Sequence, residues 1–232
     1  MTTLYETIFI RRQVRNYLGG SIEDGILNGI SKCAAEAEQL TGQHGAFKLV
    51  SAAEVSANHG ASHFLLGYCD STFAAYANVG FVLQKVDLYV QSIGLGSGWF
   101  MDIKPIADAE RFCIALAIGK TDVPVRESEM EFKRKPLPAV CAEENKVAQA
   151  VRLAPSSLNS QPWKMELGNG KVLIKDAGRG VSRLILKNKL NKIDIGIAAR
   201  HTVCALMQES KEIESIIPIT NGKEFYIEIN YQ

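Results

Sequence analysis

Two stretches of this chain appear twice at one fixed spacing. Phe47–Val50 (FKLV) is echoed by Trp163–Glu166 (WKME), and Asn78–Leu83 (NVGFVL) by Asp194–Ala199 (DIGIAA). Both pairs stand 116 residues apart in a chain of 232. The first pair follows a helical run and a polar loop in each case, and the second lies within long helical patterns. A shared offset with a shared element order predicts two related halves packed about an approximate two-fold axis. The chain therefore divides into a first half, 1–119, a connecting segment, 120–140, and a second half, 141–232.

Hydrophobic periodicity fills in the halves. Leu4 to Ile10 reads as a short helix running into RRQVRNY. SIED at 21–24 has the form of a capping box and predicts a helix to about Leu40, with Ile22, Ile26, Ile30 and Cys33 on one face. Strands are expected over 46–52, 63–69 and 112–119. A long helix from Ser71 to Ile93 ends at Gly94, where a left-handed residue is wanted. The second half gives a helix over 143–153, a hairpin turning at Gly168–Gly170, a helix around 192–210 and a last strand, EFYIEINY. The expected class is α+β, two related halves with antiparallel-type sheets flanked by helices.

Composition narrows the partners. Hydrophobic residues make 47% and charged residues 22%, an ordinary globular balance. A net charge of +1 offers no overall field for nucleic acid or an anionic membrane. Small molecules or another protein are the expected partners. The five cysteines are scattered and form no C-x-x-C pair, which fits reduced thiols in a cytoplasmic protein. His59 and His63 flank a turn-like NHGASH rather than a helix face, and no metal site is expected. The N-terminus carries arginines after a short apolar run, the reverse of a secretory signal.

Three stretches are candidates for chemistry. RRQVR places Arg11, Arg12 and Arg15 within five residues, which suits a phosphomonoester, although charge pattern alone favours a solvated basic turn. FKRKPL (132–137) is a second basic cluster with the same two readings. APSSLNSQPW (154–163) offers Ser156, Ser157, Asn159 and Gln161 as neutral donors and acceptors, either for a structural connection or for a polar, planar ligand. Its Pro155 ends the preceding helix, and Pro162 is expected to push Gln161 extended. IGLGSGW (93–99) is not a dinucleotide loop, since it follows a helix and lacks G-x-G-x-x-G. A helix cap and a tight, ligand-adjacent turn fit it better.

Taken together, IFIRRQVRNY, SIGLGSGWF, RKPL and PSSLNSQPW resemble the motifs of the nitroreductase family of FMN enzymes. In that family the N-Q-P-W loop precedes the GLG helix, whereas here it follows. The first-half counterpart of that loop, EQLTGQHGAF (38–47), has lost the serines, asparagine and prolines. The second half shows neither R-R-x-V-R nor R-K-P-L. The chain is thus similar to a fused, pseudo-dimeric branch in which one polypeptide does the work of two subunits.

The resemblance implies an intramolecular pseudo-dimer holding one complete FMN site. Arg11, Arg15 and Arg134 would contact phosphate and ribityl, with Arg12 alongside. Gln13 stands where the family has a serine. Pro155, Ser156, Ser157 and Asn159 would meet the isoalloxazine from the other half, with Gln161 supporting the loop and Leu95 and Gly96 at the flavin's floor. The activity implied is hydride transfer from NADH or NADPH through the flavin to nitroaromatic, quinone or related acceptors, in alternation at one site. No protein acid or base would be catalytic, and the fused chain is compatible with a monomer. The alternative is a non-catalytic flavin or ligand sensor, or a scaffold, derived from the same fold.

Overall fold

The computed structural model describes residues 2–178 and 189–232. Helix α1 (Leu4–Ile10) starts at a reciprocal cap: Thr3 Oγ1 accepts from Glu6 N at 3.1 Å, and the Glu6 carboxylate accepts from Thr3 N at 2.8 Å. Helix α2 spans Asp24–Ala35. The SIED capping box does not form: Glu23 is the N-cap and makes no side-chain capping bond. Residue 22 stays outside the helix, which lets Ile22 enter the core beside Leu27, the two positions of a hydrophobic staple. The helix also stops before Leu40, because residues 36–43 turn to bring Leu40 into the core.

Strands β1 (Ala46–Ser51), β2 (His63–Tyr68), β3 (Gly96–Phe100) and β4 (Phe112–Gly119) form one antiparallel sheet in the order β1-β2-β4-β3. Between β2 and β3 runs α3 (Phe73–Ser92), opened by Thr72 and closed at Gly94 with φ +84°. After the connection come α4 (Lys146–Arg152), β5 (Trp163–Gly168), β6 (Lys171–Asp176), α5 (Leu190–Gln208), β7 (Ile213–Asn221) and β8 (Glu224–Tyr231). The second sheet has the order β5-β6-β8-β7, position for position the order of the first. The chain has two similar halves joined as a pseudo-dimer.

Two further elements differ from the sequence reading. Gly96–Phe100 is a strand rather than a turn. β7 escaped notice because Pro218 interrupts its pattern; it lies at the sheet edge, where proline is tolerated.

Helices α3 and α5 cross at the centre, each on its own sheet and against the other. Both are buried on nearly every face, and besides apolar side chains they bury polar ones, Asn78, Gln84 and Asp87 on α3 and Asp194, Arg200 and His201 on α5. They approach so closely that a Cβ at Gly80 would fall 2.1 Å from Ile193 O, and one at Gly196 would fall 1.8 Å from Ala77 O. This crossing places α1 beside α3 and α4, and α4 and the loop after it beside α5.

Candidate functional site

The segment after α1 lies along β3. Val14 N donates to Ser97 O at 3.0 Å, and Gln13 pairs with Ser97 in a parallel bridge. The glycines of GLGSG permit this approach: a Cβ at Gly98 would sit 2.2 Å from Val14 O, and Gly96 lies beneath Val14 and Thr121. Gln13 clasps the Trp99 backbone, its Oε1 accepting from Trp99 N at 3.1 Å and its Nε2 donating to Trp99 O at 3.0 Å. Its amide is therefore engaged within the fold. Leu95 is half-buried against the core.

Arg11 is not a solvated turn residue. Its side chain is 1% exposed and lies 2.9 Å, Nε to Oδ2, from Asp87, which is fully buried. The Nε–H is off the line to that oxygen, and Nη2 has no partner either. Asp87 is held by Ser97 Oγ at 2.5 Å, Gln91 Nε2 at 3.0 Å and Gln84 Nε2 at 3.0 Å. Behind Gln84 stands His201, whose Nδ1–H must donate to Ala150 O (2.8 Å), leaving Nε2 to accept from Gln84. Burial pushes His201 down to about 3, so it is neutral.

Around Arg11 gather four more guanidiniums. Arg126 Nη1 donates to Arg11 O and its guanidinium stacks 4.1 Å from the Phe132 ring centre. Arg12 pairs with Glu131 at 2.5 Å, and Arg152 with Glu129 at 2.6 Å. Arg134 donates to Phe132 O (2.9 Å), Leu153 O (3.2 Å) and Asn159 Oδ1 (2.6 Å). Burial, then the neighbouring cations Arg11, Arg126 and Arg152, push Arg134 down to about 9. Burial, Arg11 and Arg12 likewise bring Arg126 to about 10. Five arginines face three carboxylates, and Nε atoms of Arg11, Arg12, Arg126 and Arg134 are buried without partners. Buried donors and surplus positive charge are what a phosphate dianion satisfies. Arg15 is exposed.

The loop 154–163 meets this cluster from the second half. Leu158, Asn159 and Gln161 all have positive φ, between +47° and +54°. The expectation that Pro162 holds Gln161 extended therefore fails. Local bonds override the pre-proline preference: Gln161 N donates to Ser156 Oγ (2.9 Å), and Gln161 Oε1 accepts from Lys135 N (2.7 Å). Non-glycine residues in this region cost free energy and cluster at ligand sites. Leu158 is 71% exposed at the tip, while Trp163 is buried at the start of β5. Pro155, Ser156 and Ser157 are half-buried, and Asn159 Nδ2 donates to Lys133 O at 3.0 Å.

Beneath the loop lies Asp194, buried on α5. Its carboxylate accepts from Ser157 N at 3.0 and 3.2 Å, and from the hydroxyls of Ser157 (3.4 Å) and Ser160 (3.5 Å). Burial raises it to about 8 against the pull of those donors, with Asp176 adding to the rise. Beside the loop a cleft of about 550 Å³ is lined by Lys135, Ser160, Gln161, Trp163 and Asn191, among others.

At the corresponding place in the first half the charged groups are paired with one another. Arg200 donates to Phe81 O (3.1 Å), Glu38 O (3.2 Å) and Glu38 Oε2 (3.1 Å), and Lys85 reaches the same Oε2 at 2.9 Å. Asn78, 116 residues before Asp194, holds this loop by accepting from Leu40 N at 2.9 Å.

The structure thus brings Arg11, Arg12, Arg134, Asn159 and Gln161 into one neighbourhood, with Gln13 and Gly96 on its β3 wall. Sequence reasoning missed Arg126, Arg152, Asp87 and Asp194. Arg126 lies in the mixed-charge connection and Arg152 at the end of α4, and the carboxylates had one available signal: each is the single acid of its long helix.

The family model described as "Putative TM nitroreductase" matches residues 3–206. A crystal structure described as a "putative nitroreductase" of Thermotoga maritima aligns with a TM-score of 0.72 at 18% identity, over 99% of this chain and 94% of that one. A nitroreductase family protein of Clostridium difficile gives 0.48 at 17%, over 60% and 96%. A Desulfovibrio desulfuricans structure, described as a complex with FMN, gives 0.48 at 16%, over 62% and 98%. No curated protein matches the sequence.

Proposed function

The chain belongs to the TM nitroreductase family, and from that premise we propose that it is an oxidoreductase binding one FMN where its halves meet. The observation that carries the reading is the set of buried, unpartnered guanidinium nitrogens beside a strained polar loop. Arg11, Arg12, Arg126 and Arg134 would hold the phosphate, with Arg15 at the exposed edge toward the ribityl chain. Pro155, Ser156, Ser157 and Asn159 would meet the ring, and Gln161 would fix their loop. FMN, when bound, supplies the hydride acceptor and donor.

The chain's own work is positional. Asp87 orients Arg11 while leaving its Nη2–H free for the anion. Gln13 and the glycines of β3 keep the arginine segment against the sheet. The uncharged loop touches an uncharged ring, so the charged groups stay at the phosphate end. This division suits a hydride route from NADH or NADPH to a nitroaromatic or quinone, in turn at one face, with no protein acid or base in the exchange. The mutual pairing of Arg200, Glu38 and Lys85 at the first-half counterpart supports one site per chain.

The test is anaerobic: the FMN-loaded protein is mixed with NADH or NADPH, then with an acceptor. Bleaching of the yellow colour and its return support the oxidoreductase. Bound flavin that neither nucleotide reduces supports a flavin sensor, and a protein that takes up no FMN contradicts both.

A further inference from the structure

The loop anchors of the two halves differ in one atom type. Asn78 and Asp194 occupy equivalent places on α3 and α5, and each accepts a backbone N–H from the loop of its own half. Asn78 also donates, from Nδ2 to Gln39 Oε1 at 2.7 Å. A carboxamide can therefore hold such a loop by accepting with one atom and donating with the other. A carboxylate can only accept. The half with the intact polar loop is the one whose anchor can gain or lose a proton.

We propose that Asp194 is a positioning residue whose proton sets the hydrogen-bonding polarity of Ser157 toward the bound ligand. Ser157 N is an obligate donor and satisfies one carboxyl oxygen in either state. When Asp194 is ionised, the hydroxyls of Ser157 and Ser160 both point their hydrogens inward. When it is protonated, its own O–H is donated to the Ser157 hydroxyl, 3.4 Å from Oδ1, and Ser157 is free to donate outward. The acid form of Asp194 thus offers the ligand one donor more than the carboxylate does. An isoalloxazine edge carries more acceptors than donors, so the protonated state holds it better.

The surroundings keep the titration local. Asp176 of β6 is the neighbouring acid and is ion-paired with Lys192 of α5. Lys135 Nζ donates to Ser160 O (2.8 Å) and Gln161 O (2.9 Å) on the loop. The loop itself has no charged residue, and α3 carries none between Phe73 and Gln84. The upward displacement of Asp194 puts the change within reach of neutral pH.

This inference rests on the FMN reading, so its test has two arms. In the first, flavin-free wild type and Asp194→Asn are titrated with FMN at about pH 6.5 and about pH 9. The wild type is expected to lose affinity about five- to tenfold at the higher pH, the scale of one hydrogen bond. Asp194→Asn always donates, as Asn78 does, and is expected to keep the low-pH affinity at both. A variant that shows the same drop as wild type overturns the proposal, because the drop then belongs to another group. The second arm needs no ligand: amide exchange at Ser157 and thermal melting are followed in both proteins. Wild type is expected to lose melting temperature from about pH 4 to about pH 8, the range over which a buried acid must ionise, and Asp194→Asn is not. Coincident melting profiles, or a Ser157 amide unprotected in both proteins, overturn the proposal whether or not FMN binds. Absence of FMN uptake with divergent profiles contradicts only the flavin reading.

Discussion

Gly80 and Gly196 are each other's counterparts in the crossing of α3 on α5, each lying against a carbonyl of the opposite helix. Gly80 faces Ile193 O and Gly196 faces Ala77 O, so the contact is reciprocal, as a two-fold axis requires. An alanine at either position must drive the helices apart. Gly80→Ala and Gly196→Ala are each expected to cost about 1–3 kcal/mol or more by urea unfolding, despite the better helix propensity of alanine.

Arg11 and Asp87 form a buried ion pair that serves binding more than stability. Arg11→Ala should cost about 3–5 kcal/mol, since it leaves Asp87 buried without its cation. The double variant Arg11→Met/Asp87→Asn removes the unpaired charge while keeping an oxygen for the Ser97, Gln91 and Gln84 donors, so it should recover part of that loss and still bind FMN more weakly. Unfolding curves and FMN titrations on the same two proteins separate the effects.

Arg126 and Arg134 carry lone buried nitrogens and crowd other cations. Arg126→Ala and Arg134→Ala are each expected to weaken FMN by about 1.5–3 kcal/mol, the scale of a hydrogen bond to a charged group. Riboflavin, which lacks the phosphate, should bind wild type and Arg126→Ala with similar affinity, whereas Arg134→Ala also releases Asn159 and should weaken both ligands. Equal losses for both ligands in Arg126→Ala would remove that arginine from the phosphate end.

Gly98→Ala sets a methyl against Val14 O, 2.2 Å away, and must lift the arginine segment off β3. The expected result is weaker FMN binding together with a destabilisation of about 1–3 kcal/mol. Both are read in one denaturant series with and without FMN.

Glu38 gives the acid limb. Burial pushes its carboxyl up, but Arg200 and Lys85 outweigh that and bring it to about 2. Its folded value is below the ordinary one, so its contribution is present above about pH 4.5 and is lost as pH falls toward 2. Glu38→Gln should flatten that part of the acid melting profile, and it should lower stability at neutral pH, because Arg200 is buried.

Much of the fold was legible because local chemistry agreed with tertiary packing. Leu4–Ile10, the Gly94 stop and the hairpin at Gly168–Gly170 follow from caps, turn residues and periodicity. The 116-residue offset made the paired halves readable before any contact was known. What escaped depends on distant partners. Ser21 looked like a cap until burial of Ile22 moved the helix start. Gln161 looked extended until Ser156 Oγ and Lys135 N fixed it at φ +47°. Gly96 and Gly98 read as turn residues because the segment lying on them, Gln13–Val14, is more than 80 residues away. In the site, the meeting of Arg11 and Arg134 with the loop came from motifs. Arg126 and Asp194 act through contacts that no local pattern encodes.

The central claim is one flavin site per chain, built on Arg11 from the first half and the 154–163 loop from the second. Calorimetric titration of the flavin-free protein with FMN tests it most directly. One FMN bound per chain, with markedly weaker binding by Arg11→Met/Asp87→Asn in its folded state, is the expected result. No binding to wild type, two equivalent sites per chain, or undiminished binding by the double variant would contradict it.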